Sequence, residues 1–153
     1  MLRDQQQIEA SQAPALMQEL AAGFLQDPLA EPLSECVQIV RAGFMENFAL
    51  KEGSDGKSWP PHAPLTVKIH GPHPLLILSD TMRSAVAGEA GPGSVFRDEF
   101  RSFETGTDLI YARTHQEGDA SRNIPQREFL YASENVQDEC QEELADFLQQ
   151  HIL

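Results

Sequence analysis

The residues able to do chemistry are few and scattered. His70 and His73 form an H-x-x-H, with His62 nearby. Imidazoles serve as metal ligands and as general bases near neutral pH. A metal site needs at least three ligands in fixed geometry. Gly71, Pro72 and Pro74 flank this pair and oppose the helix that an H-E-x-x-H site requires. Solvated loop histidines are the expected reading. A small metal-dependent enzyme using His62, His70, His73 or His115 stands as the alternative. Serine and histidine are both present, but no G-x-S-x-G elbow occurs. Cys36 and Cys140 lie on apolar helix faces, which favours packing over a lowered thiol pKa. Gly88, Gly91 and Gly93 lack the lysine and spacing of a phosphate loop. The sequence thus predicts no enzyme, no catalytic or metal-binding residues and no cofactor.

The chain behind these residues has 153 residues, 41% hydrophobic and 23% charged. That composition belongs to a folded domain, not a disordered one. A chain this long buries roughly two-thirds of its unfolded surface and needs no disulfide or metal to fold. The two cysteines are expected to be reduced core thiols. No apolar run approaches the roughly 20 residues of a membrane span, so no membrane partner is expected. The first ten residues carry Arg3 with no apolar block behind it, so no signal peptide is expected. Acidic residues number 24 against 11 basic ones, for a net charge of −13. Nucleic-acid binding needs a basic face, and no cluster of three basic residues exists. An acidic wall past which DNA slides is compatible with this charge.

The elements that must position these groups follow from periodicity. Leu16, Leu20 and Phe24 recur every fourth residue after Pro14, which predicts a short first helix closed by Gly23 and Pro28. Leu33, Val37, Val40, Phe44 and Phe48 form one stripe of a helix over 33–50, which Gly43 weakens. Residues 51–64 read as a loop, with Trp59 covering an edge of the core. Residues 65–69 read as a short strand. Ser79 or Asp80 caps a short helix carrying Met82 and Val86. Residues 95–103 and 109–111 read as a hairpin around a turn at 104–107, with a bulge where Phe100 and Phe103 fall out of phase. Residues 113–123 read as a long mobile loop. Ser133 or Asn135 caps a final helix. Its apolar face is Val136, Cys140, Leu144, Phe147, Leu148 and Ile152, and its other faces are acidic. The predicted fold class is α+β: one domain, with an antiparallel sheet packed by the 33–50 and 135–152 helices.

One block carries a family likeness. It runs Tyr111-Ala112, His115-Gln116-x-Gly118, then Ile124-Pro125-x-Arg127-x-Phe129-Leu130. This order resembles the phage virion-morphogenesis family, the tail-completion and neck proteins of Mu-like and other long-tailed phages. Upstream features also match: a helix ending in phenylalanine, a glycine loop, a Trp-Pro pair and a short threonine-glycine helix motif. Asp80 stands where that family usually has glycine, and Ala85 where it often has serine. The likeness is read over residues 33–153, leaving 1–32 as an N-terminal extension with a short helix.

The resemblance implies a non-enzymatic virion component. It would form a homo-oligomeric ring, a hexamer or dodecamer, at the head–tail junction. Head connector and tail-tube proteins would be its partners, and DNA would pass through without specific binding. A tail terminator ring is the nearest alternative. The protein would act in the host cytoplasm during assembly and in the mature particle. Trp59, Tyr111, His115, Arg127 and Phe129 are the candidate interaction residues. Tyr111 is expected to end a strand with its ring buried. Arg127, near a strongly acidic segment, is expected to pair with a carboxylate. Phe129 and Leu130 are placed to staple onto the last helix. From a different class, an adaptor whose acidic last helix binds a basic partner also fits the charge pattern.

Overall fold

The computed structural model describes residues 29–151; the helix predicted over 14–28 lies outside them. The first described helix, α1, spans Ala30–Leu50. Of the predicted stripe, Val37, Phe44 and Phe48 are buried, and Val40 packs against the same core. The helix starts three residues earlier than predicted. Pro32 fits its first turn, where a backbone N–H has no helical partner to lose. Lys51 ends it in the left-handed region, with φ 56°.

The 51–63 loop is ordered by internal bonds. Glu52 and Ser58 form an antiparallel bridge, and the buried Trp59 anchors the loop as predicted. The strand predicted over 65–69 is instead a helix, α2, spanning Pro64–His70. Pro64 supplies a pre-set first turn, Gly71 stops the helix, and among the described residues no neighbouring strand is there to pair with. The alternation of Leu65, Val67 and Ile69 therefore reflects exposure, since no residue of α2 is buried.

Helix α3 spans Thr81–Ala87 and buries Met82, Ala85 and Val86. Asp80 precedes it at φ 59° and makes no side-chain cap bond. Its carboxylate binds Arg83 instead, with Nε at 2.6 Å. Glycine adopts this left-handed backbone most readily. Aspartate is among the few other residues that tolerate it.

The hairpin exists but is shifted. Strands β1 (Ser94–Glu99) and β2 (Ser102–Thr107) pair in unbroken antiparallel register, from Ser94 opposite Thr107 to Glu99 opposite Ser102. The turn is Phe100-Arg101, with Arg101 at φ 62°, and the predicted turn residues 104–107 lie in β2. No bulge is needed: Phe100 is out of phase because it sits in the turn. Residues 109–111 lead into a helix, α4, spanning Ile110–Glu117. The predicted mobile loop at 113–123 thus starts as helix, through Glu117. A 3₁₀ turn, Ala120–Arg122, follows, capped by the Asp119 side chain on the N–H groups of Ser121 and Arg122.

Helix α5 spans Glu134–His151. Ser133 precedes it and accepts the Val136 N–H at its hydroxyl. Helices α1 and α3 cover the two-stranded ribbon, and α5 packs on α1 rather than on the sheet. The free thiols of Cys36 and Cys140 each face the other's carbonyl across this helix pair. Burial pushes the Cys36 thiol up to about 12, far from a reactive thiolate.

Gly43 has a reason that periodicity hides. A Cβ there would lie 2.5 Å from Val136 Cγ2, so glycine permits the α1–α5 crossing. Alanine normally helps a helix interior by about 1 kcal/mol. Here it would press on a valine that is stiff at χ1. Gly43→Ala should therefore destabilise the protein by about 1–2 kcal/mol, measured by urea unfolding.

Candidate interaction site

The motif block builds one structure. After Pro125 the chain runs extended to Tyr131 without joining a sheet. Most of the hydrogen bonds to its backbone come from side chains. The Gln116 amide oxygen accepts the N–H groups of Phe129 at 3.0 Å and Leu130 at 2.9 Å. Its amide nitrogen donates to Leu130 O at 3.1 Å. Asn47 Nδ2, on α1, donates to the carbonyls of Phe129 and Tyr131, both at 3.0 Å. Trp59 Nε1 donates to Glu128 O at 3.0 Å. The Arg127 N–H reaches His115 O at 2.7 Å. These side chains act as the strand neighbour that the segment lacks.

Phe129 is thereby driven into the core, fully buried, with its ring 5.4 Å from that of Phe48. It packs with Phe44, Trp59, Val86 and Ala112, not as a staple on the last helix. Arg127 is only 5% exposed and, among the described residues, pairs with no carboxylate. Its Nε and Nη2 donate to the carbonyls of Pro60 and Pro61, both at 2.8 Å. The guanidinium fork suits two adjacent carbonyls and ties the Trp-Pro-Pro loop to the extended segment. Gly118 turns the chain between these parts at φ 77°; a Cβ would meet Gln126 N at 2.9 Å.

In front of this scaffold lies an open cavity of about 480 Å³. Tyr111, His115 and Arg127 line it, and Trp59 and Phe129 lie outside its lining. The five predicted residues thus share one neighbourhood, as wall and as packed support. Tyr111 stands in the first turn of α4, 42% exposed, rather than ending a strand with its ring buried. His62, His70 and His73 complete the wall. The rings of His62 and His73 lie 4.2 Å apart, and those of His70 and His73 6.3 Å. Bulky apolar side chains stand exposed on the surrounding elements: Leu65 and Ile69 on α2, Leu78, and Ile110 at 93% exposure.

His115 Nδ1 and His62 Nε2 are buried with no hydrogen-bond partner. Burial, then the Arg127 charge, lowers the His115 pKa from 6.5. Burial, then His73, does the same for His62. The unfolded chain takes up these protons near pH 6.5 while the folded chain resists them. Stability therefore rises with pH through this range and falls as acid is added below about 6.5. Thermal melts between about pH 7.5 and about pH 5.5 should show this fall, and His115→Gln should flatten it. Asp119, held at about 2 by Ser121 and Arg122, titrates in a separate, more acid window.

Among the described residues, no group of three or more His, Cys, Asp or Glu is placed to hold a metal ion. Two residues that carry the site, Asn47 and Gln116, drew no role from the sequence. The signal for Asn47 was a polar residue on an apolar stripe, beside Phe44 and Phe48; such a residue is normally bonded within the core.

Fold and site together define a small α+β protein whose motif residues brace an extended segment behind an open, histidine-lined cavity. The chain belongs to the phage virion morphogenesis family, which it matches over residues 5–152. The match extends upstream of the 33–153 stretch over which the likeness was read. No curated protein and no solved structure matches the chain. No described helix is long and apolar enough to cross a membrane.

Proposed function

We propose that this protein is a structural subunit of the phage head–tail junction, a tail-completion or neck component. It assembles as a ring between the head connector and the tail tube and leaves a passage for DNA. The observation that carries the reading is the set of exposed apolar side chains Leu65 and Ile69 on α2, Ile110 on α4, and Leu78 in the cavity wall, in a chain of a family that builds phage particles. Patches of this kind mark contact with other proteins. A ring requires head-to-tail contacts that close by rotation, so each subunit presents two different surfaces.

The test is the mass of the protein by light scattering, alone and with connector or tail extract. A ring, or a monomer that becomes one on its platform, supports the reading. A monomer that never joins particles overturns it. At −13 per subunit, closure works against like-charge repulsion. At about pH 8 added salt should therefore increase assembly by screening; oligomers that dissolve as salt rises would count against this.

A further inference from the structure

The cavity differs in charge from the rest of the molecule. Four of the five histidines line it, together with Arg127. Among the described residues, no aspartate or glutamate does. Each element around it contributes in the same sense: His62 and His73 from the loops, His70 from α2, His115 from α4 and Arg127 from the extended segment. Tyr111 adds a hydroxyl, and α3 adds Met82 and no charge. Two of the imidazoles keep a ring nitrogen without a partner.

The complementary surface lies elsewhere on the same chain. Helix α5 carries Glu139, Glu142 and Asp146 exposed, has no lysine or arginine, and contributes nothing to the cavity wall. No ion pair is formed by these carboxylates among the described residues.

We infer that the histidine-lined cavity receives carboxylate side chains from α5 of a second copy of this chain. This rests on the ring reading and deepens it, since cavity and α5 are the two different surfaces that a head-to-tail contact needs. A carboxylate entering the cavity raises the proton affinity of the imidazoles around it. Assembly is then coupled to proton uptake. At about pH 8 burial keeps His62 and His115 uncharged, and the contact is weak. The subunit then waits for its platform.

The experiment is sedimentation of the full chain at about pH 8 and about pH 5.5, at low and high salt. Self-association should tighten at the lower pH by about tenfold for each histidine raised by one unit. Salt should weaken it there, the reverse of its effect at pH 8, because attraction between unlike charges is now screened. The cavity variant His70→Gln/His73→Gln and the helix variant Glu139→Gln/Glu142→Gln/Asp146→Asn change residues that are not buried. Each alone should stay monomeric at about pH 5.5. Mixed, they should form a one-to-one pair that cannot grow, since one good cavity and one good helix remain.

A wild type that stays monomeric at low pH, variants that associate like wild type, or a mixture that fails to pair overturns the inference. DNA binding at low pH that the cavity variant loses and the helix variant keeps overturns it in favour of a nucleic-acid ligand. Incorporation into particles separates the two readings. Wild type that joins tails, with both variants joining equally well, leaves the junction role standing and removes the cavity contact. Wild type absent from particles removes the junction role itself.

Discussion

Phe129→Ala should cost about 4 kcal/mol, enough to lower Tm by about 12 °C in a domain of this size. The ring is fully buried and meets Phe48 at 5.4 Å. Its removal leaves a void bounded by α1, α3 and α4, which cannot all collapse inward because each is fixed by other contacts. The backbone at this position is also held from two sides, by Gln116 on its N–H and Asn47 on its carbonyl. The extended segment therefore cannot slide to refill the space. Phe129→Leu should recover more than half of the loss, since it restores most of the volume. Equal losses for Ala and Leu by urea unfolding would show that the site tolerates no shape but phenylalanine's, contrary to this account.

Arg127→Ala should cost about 3 kcal/mol, and Arg127→Lys most of that. The guanidinium reaches two carbonyls with two different nitrogens, Nε to Pro60 and Nη2 to Pro61. A lysine ammonium, more strongly hydrated and without the fork, cannot reproduce both bonds from a buried stem. Burial already disfavours this charge, as the lowered Arg127 pKa records. The Trp59–Pro61 loop should loosen with the change. Hydrogen exchange at the Trp59 amide, now bonded to Lys51 O at 2.7 Å, reads that loosening directly. A lysine variant as stable as the wild type, with Trp59 still protected, would assign the fork no special part.

Much of this was legible from one-dimensional pattern. The α1 stripe, the buried Met82 and Val86, the anchoring Trp59 and the acidic α5 all depend on residues within a few turns of each other. Local periodicity carries that information. The motif block was also legible as a unit, and its order led to the correct family. What it held was not. Arg127 was assigned a carboxylate because sequence shows charge but not burial. Residue type also does not show that, of the candidate interaction residues, Trp59 and Phe129 lie in the core.

The misplaced elements have a common cause. Residues 65–69 alternate like a strand, but a strand exists only if another strand is present to pair with it. The hairpin turn fell at Phe100-Arg101, where no glycine or asparagine announces it. Register there is set by which faces of β1 and β2 meet α1 and α3, a long-range fact.

The sequence by itself determined the composition class, the main helices, the acidic charge and the family, because these rest on local spacing and residue type. Only the tertiary structure decided that four histidines separated along the chain share one cavity with Arg127. The same holds for the side chains of Asn47, Trp59 and Gln116, which replace a missing strand. Those arrangements come from where α2, α4 and the extended segment pack around one core, and packing is a property of the whole chain at once.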